Sequence, residues 1–173
     1  MLKVLSVNNS ISKKLTVNVD RKHLWEIISA PGKLDLYHPF CKNNEVLNWD
    51  KKNSIDLIEY YNKKVLKRKF FDWEEEIGYK LVINDLKKDI AEVHWSLSNP
   101  NKSKIDLSIQ VQILDTALKR LPNSINKIIL KTYVLPKLGT YLESVLNGIK
   151  FHSETGNKVS KNQFGYNSMF SSR

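Results

Sequence analysis

The sequence predicts an α+β fold in which about seven antiparallel strands pack on one long helix near the C-terminus, with a short helical segment after the first strand. Two observations predict it. From Asn123 to about Gly148, Ile125, Ile128, Ile129, Thr132, Leu135, Leu138, Leu142, Val145, Leu146 and then Ile149 recur at steps of three and four, which places them on one helical face. Upstream, strand-like runs are separated by links too short for the crossovers that parallel strands require. A helix this long buries its stripe against something large, and the strands before it are the only candidate.

Taken in order, Ile11, Lys13, Leu15, Val17 and Val19 alternate with Ser12, Lys14, Thr16 and Asn18, a first strand with one apolar face. Asp20 is placed to cap the next helix, with Val19 and Leu24 packing across the cap. That helix carries Leu24, Trp25, Ile27 and Ile28 inward to about Ala30, and Pro31-Gly32 ends it. Gly32 to Cys41 reads as a short, partly helical connection. Six strand-like runs follow: Asn44–Trp49, Ser54–Tyr61, Val65–Trp73, Gly78–Leu86, Ile90–Ser98 and Lys104–Leu114. Their links are Asp50–Asn53, Asn62–Lys64, Glu74–Ile77, Lys87–Asp89 and Asn99–Ser103, which favours hairpins throughout.

Pro122, Asn123 and Ser124 supply a start for the long helix; Asn147-Gly148 weakens it and Gly156 stops it. Pro136 sits in its middle, removes a backbone hydrogen bond and should kink or break it near Thr132–Tyr133. Such a kink either follows the curve of the sheet or serves as a gate. Residues 157–173 hold Val159, Phe164, Tyr166, Met169 and Phe170, more large apolar groups than a disordered tail carries. No repeat, low-complexity tract or linker interrupts the chain. Residues 1–173 are therefore expected to form one domain, with 157–173 a C-terminal extension partly docked on it, at least from Val159 to Phe164.

Composition narrows the class. A chain of 173 residues, 41% of them hydrophobic, can bury one substantial core. No run approaches the roughly 18 apolar residues of a membrane span, and Met1–Val7, soon interrupted by Asn8 and Asn9, is too short for a secretory signal. Cys41 is the lone cysteine, so no internal disulfide can form and a reduced, cytoplasmic protein is expected. The net charge is +10. Lysine supplies most of it, scattered as pairs such as Lys13-Lys14, Lys51-Lys52, Lys63-Lys64 and Lys87-Lys88, with no arginine cluster. That pattern argues for a solvated surface over a nucleic-acid partner, and leaves peripheral contact with an anionic membrane open.

Val19-Asp20-Arg21-Lys22-His23-Leu24-Trp25-Glu26-Ile27-Ile28-Ser29 resembles the opening helix of the START, polyketide-cyclase and birch-pollen-allergen superfamily (SRPBCC). His38-Pro39-Phe40-Cys41 with Asn44-Glu45-Val46 resembles its passage into the second strand. Tyr141 to Gly148 and Asn162-Gln163-Phe164-Gly165 resemble the end of one poorly characterised bacterial branch. The resemblance covers about residues 10 to 165 and rests on topology and pattern, without a catalytic signature. It implies the helix-grip fold, a curved antiparallel sheet wrapped around the C-terminal helix with a cavity between them. It also implies a ligand from among lipids, isoprenoids and polyketide-like molecules, or a cyclase. The mid-helix Pro136 departs from the superfamily's pattern.

Strand and helix parity then select the cavity lining: Trp25, Leu66, Arg68, Phe70, Tyr79, Leu81, Trp95, Leu97, Leu138 and Leu142. Arg68 falls between Leu66 and Phe70 on the inner face of its strand, opposite Lys67 and Lys69. A guanidinium there needs acceptors, because an unpaired buried charge is expensive. Asp56 or Glu59 on the neighbouring strand can pair with it; alternatively it anchors a ligand's carboxylate or phenolate. Glu92 and His94 share the outer face of their strand. His38 and Cys41 are spaced for a metal but are too few to hold one, and no nucleotide, serine-hydrolase or zinc-protease motif occurs, so no cofactor or metal is expected.

The expected function is binding of a hydrophobic small molecule between sheet and helix for transport, storage or sensing. The alternatives are a cyclase or dehydratase in which Arg68 or Tyr79 holds an enolate and His38 moves protons, and a basic surface module for anionic lipid or nucleic acid.

Overall fold

The computed structural model describes residues 9–101, 104–118 and 123–173. It has the helix-grip architecture. Strands β1 (Ser10–Val17), β2 (Cys41–Asn48), β3 (Ile55–Tyr60), β4 (Val65–Glu74), β5 (Gly78–Asn84), β6 (Asp89–Asn101) and β7 (Lys104–Ile113) form one antiparallel sheet in the order β1-β7-β6-β5-β4-β3-β2. Helices α1 (Arg21–Ile28) and α2 (Leu34–Tyr37) lie between β1 and β2. After β7 come α3 (Asp115–Leu118), α4 (Asn123–Ile129), a π-helical turn (Leu130–Val134) and α5 (Leu135–Thr155). The Met1–Val7 segment, the Pro122 helix start and the last residues of the Asn99–Ser103 link lie outside the described residues.

Alternation sets the inner face of the sheet. Ile58 and Tyr60, Leu66 and Phe70, Tyr79 and Leu81, Val93 and Trp95, and Leu107 and Ile109 are all buried. Asp20 caps α1 by accepting the His23 amide at 2.8 Å. The first strand stops at Val17, two residues short of expectation, because the Asn18 amide turns to the Glu154 carboxylate. The second strand begins earlier than expected, at Cys41, and the sixth runs past Ser98 to Asn101. In β4, parity would carry Asp72 inward after Phe70. Instead Asp72 adopts a φ of 53° where the register with β5 shifts, and this bulge turns Trp73 inside.

The long helix departs most from its expected form. Pro136 has no N–H to donate to the preceding turn and its ring would crowd a carbonyl there. The π turn just before it absorbs that conflict with one extra residue. An extra residue rotates everything upstream by about 100° relative to an unbroken helix. The expected stripe therefore breaks: Leu138, Leu142, Val145, Leu146 and Ile149 are buried, but Ile125, Ile128 and Ile129 are exposed and Leu130 takes the inward place. Thr132, also expected on the stripe, is exposed and bonds back to the Ile128 carbonyl at 2.8 Å. At the other end α5 continues through Gly148 to Thr155, and Gly156 ends it in the left-handed conformation at φ 73°. Gly148 is there for packing: a Cβ would stand 2.1 Å from the Tyr37 carbonyl oxygen, so only glycine lets α2 approach α5.

The C-terminal segment lies along α5, α2 and the link that leads into β2. Val159 and Asn162 donate backbone N–H groups to Leu36 and Pro39 carbonyls, and Ser144 donates to the Phe164 carbonyl. Contacts continue beyond Phe164: Asn167 donates to the Lys137 carbonyl at 2.9 Å, and Asn167, Phe170 and Ser171 are buried. Tyr166 remains exposed. Among the described residues no helix is long and apolar enough to cross a membrane.

Candidate functional site

Between the concave sheet face and α5 lies a cavity of about 470 Å³, within the size range of small-molecule sites. Its sheet walls are mainly aliphatic, with Val93, Ile109 and Val111 facing Leu138, Leu142 and Val145 on α5. It extends toward the end of the sheet that holds the β3–β4 and β5–β6 hairpins, represented in its lining by Lys64 and Asp85. Val134 of the π turn and Met169 and Phe170 of the C-terminal segment also contribute to its wall.

Of the residues selected by parity, Leu66, Arg68, Leu81, Trp95, Leu138 and Leu142 line this cavity. Trp25, Phe70, Tyr79 and Leu97 do not. They are buried beyond it, toward α1, where the interior is filled. Trp73 stacks on Tyr79 with centroids 5.2 Å apart, Trp25 meets Trp73 edge-on at 5.4 Å, and Trp49 meets Phe70 at 5.2 Å. Tyr79 donates its hydroxyl to the Ile28 carbonyl at 3.0 Å. Parity distinguishes inside from outside; it says nothing about position along the axis of the fold, and bulky rings close one end.

Arg68 is held within the protein. Asp56 lies directly opposite it across the β3–β4 ladder. Arg68 Nε donates to Asp56 Oδ1 at 2.8 Å and Nη2 to Oδ2 at 2.5 Å, a bidentate pair with the carboxylate wholly buried. Asn44 of β2 adds a third donor to Oδ2 at 3.0 Å. Burial disfavours the guanidinium's charge, but the Asp56 carboxylate outweighs this and holds Arg68 more firmly protonated than usual. Its ligand-anchor alternative gives way to the internal pair with Asp56, and Glu59 pairs instead with Lys42 at 2.7 Å.

Beside this pair stands a polar chain that parity did not select. His38 Nε2 lies 2.9 Å from the Tyr141 hydroxyl, which lies 3.2 Å from the Tyr60 hydroxyl, and all three residues line the cavity. The Phe40 amide donates to His38 Nδ1 at 3.3 Å. Burial, then the positive charge of Arg68, push the imidazole pKa from 6.5 down to about 3, so it is neutral at pH 7. Signals for these residues were present: Tyr141 falls between Leu138 and Val145 at helical spacing, and Tyr60 shares parity with Asp56 and Ile58. Phe170 packs its ring 4.4 Å from that of Tyr141 and 4.8 Å from that of Tyr60. His38 and Cys41 do not converge on a metal position, since Cys41 donates its thiol to the Asn43 carbonyl. His94 and Glu92 are exposed on the outer face.

The fold has solved counterparts. A START superfamily protein from Mycobacterium smegmatis superposes with a TM-score of 0.64 at 13% identity, covering 86% of this chain and 99% of that one. An aromatase/cyclase, Zhui, from Streptomyces does so at 0.59 and 12%, covering 84% and 93%. The di-domain aromatase/cyclase BexL reaches 0.64 and 11%, covering 88% of this chain and 52% of that one. At such identities the likeness is one of fold: this chain shares the helix-grip architecture of these structures. No protein-family model matches the chain, and no curated protein does.

Two measurements check the site. Arg68→Met alone leaves a buried carboxylate unpaired and is expected to cost about 3–5 kcal/mol in urea unfolding, whereas Arg68→Met with Asp56→Leu recovers most of that loss. A single variant near wild-type stability would show that the pair is not buried. The second concerns His38. An unfolded imidazole takes up a proton below about pH 6.5 while the folded one does not until about 3, so stability is full above 6.5 and falls as pH drops. Between pH 6.5 and 5 the extra slope approaches about 1.4 kcal/mol per pH unit. His38→Gln should remove it; equal slopes in the two proteins would mean the ring is charged or exposed.

Proposed function

We propose that this protein binds an apolar small molecule in the cavity between sheet and α5, and carries, stores or senses it. The observation that supports this reading is the division of the interior. Aromatic side chains fill one end to ordinary packing, while about 470 Å³ beside α5, walled mostly by aliphatic groups, is left open. Dense cores leave few voids larger than a water, and a space of this size in a fold that closes its other end supports a ligand site there. Binding is favoured over cyclisation because the groups a cyclase would use have other partners: Arg68 is paired with Asp56 and Tyr79 with the Ile28 carbonyl. Fluorescence of the uncharged probe N-phenyl-1-naphthylamine should rise on mixing with the protein. Ala91→Phe with Val111→Phe, which places two rings in the open space, should weaken it at least tenfold without loss of thermal stability. Unchanged affinity would put the probe elsewhere and end this reading.

A second reading, contact with an anionic bilayer, is favoured by one surface. Ile125, Ile128, Ile129 and Tyr133 are exposed together on α4 and the π turn, next to Val134 of the cavity wall, and Lys127 and Lys131 are exposed beside them. An apolar face bordered by cations is the composition of a helix that lies in a membrane interface. Sedimentation with phosphatidylglycerol–phosphatidylcholine vesicles should retain the protein, less so in high salt, and Ile125→Ser with Ile128→Ser should cut retention about fivefold. Equal retention by the variant would exclude this surface.

A further inference from the structure

The His38–Tyr141–Tyr60 chain contains one hydrogen more than the described residues accept. The Phe40 N–H occupies His38 Nδ1, so the neutral imidazole carries its hydrogen on Nε2. That hydrogen and the two phenolic ones make three donors. Within the chain only two contacts exist to receive them, His38 to Tyr141 and Tyr141 to Tyr60. No other protein partner of either hydroxyl occurs among the described residues. If Tyr141 donates to Tyr60, the Tyr60 hydrogen is left over; if Tyr60 donates to Tyr141, the Tyr141 hydrogen is. Either way one O–H remains, on a ring that lines the cavity.

The phenols keep their hydrogens at any ordinary pH, since burial pushes Tyr141 up to about 12 and Tyr60 higher. An O–H on a mostly aliphatic wall with no protein acceptor among the described residues is a donor that a ligand with an acceptor at that point would satisfy. The charge of that acceptor is also constrained. Arg68 is matched by Asp56. Lys64, the other cation on the lining, donates to the Met169 carbonyl at 3.1 Å and lies 5.0 Å from the centroid of the Phe170 ring, over it. A carboxylate beside the tyrosines would give up its hydration with only Lys64, itself exposed and over the Phe170 ring, to offset the loss.

We infer that the Tyr60–Tyr141 pair selects ligands by a single neutral hydrogen-bond acceptor, a carbonyl oxygen such as that of a ketone or ester, on an otherwise apolar body. His38 acts as a positioning residue: its Nε2–H fills a lone pair on Tyr141 and so directs the surplus hydrogen away from the ring and toward the ligand. The inference rests on the cavity-binding reading above and adds the chemistry of the ligand's polar end.

The test compares undecane, 2-undecanone and undecanoate as competitors of N-phenyl-1-naphthylamine at pH 7.5. The ketone should displace the probe at a concentration at least fivefold below the other two. The infrared C=O stretch of the bound ketone should move to lower frequency, as a hydrogen-bonded carbonyl does. Tyr60→Phe or Tyr141→Phe singly should keep the shifted stretch, because the remaining phenol still has a hydrogen to give. The double Phe variant should lose both the ketone's advantage and the shift, with undecane displacement unchanged. Equal displacement by ketone and hydrocarbon, or strongest displacement by the carboxylate, would overturn the assignment while leaving the cavity reading intact. No displacement by any of the three would remove the cavity reading, and this one with it.

Discussion

The interior depends on the ion pair that joins β3 to β4. Asp56 and Arg68 face each other across the ladder, and with Asn44 on β2 they bind three neighbouring strands through one wholly buried carboxylate. A pair of this kind is weak as a source of net stability, because desolvation offsets most of its attraction, but its members must find each other. It therefore discriminates strongly against a slipped register, in which either charge would be buried alone. It also sets the electrostatics of the cavity. The guanidinium is one reason His38 stays neutral, and with its charge already matched it offers little to an anionic ligand.

The second constraint is Pro136. Its missing N–H is accommodated by a π turn, and the added residue changes the phase of the helix upstream. One local conflict has two consequences. Leu130 is brought into the core while Ile125, Ile128 and Ile129 are carried to the surface, and Val134 is left on the wall of the cavity. The apolar surface of α4 and the cavity wall thus share a single irregular turn, the kind of helix defect that is frequent at functional sites.

Bulk decides where the cavity lies. Tryptophan, tyrosine and phenylalanine from α1, β4 and β5 interlock at one end, helped by the bulge that turns Trp73 inward. At the other end the inner faces of β6 and β7 present Ala91, Val93, Val111 and Ile113, which do not reach α5. The C-terminal segment then narrows the space with Phe170, whose ring covers the two tyrosines. The polar chain is in this way covered on one side by an apolar ring and flanked on another by the Arg68–Asp56 pair, in a lining that is otherwise mostly apolar.

Much of this was legible in the residues. Period-two alternation and short links gave the antiparallel sheet, Asp20 gave the start of α1, and Leu138, Leu142 and Val145 gave the buried face of α5, because each is a local pattern read against one solvent boundary. Arg68 between Leu66 and Phe70 already announced a buried charge in need of a partner. Other features were decided only in three dimensions. The choice of Asp56 over Glu59, the phase change at Pro136, the meeting of His38 with Tyr60 and Tyr141, and the exclusion of Trp25, Phe70, Tyr79 and Leu97 from the cavity all depend on distances between elements remote in the chain. Periodicity reports which way a side chain faces; what it faces is set by packing among elements that the pattern of each one does not contain.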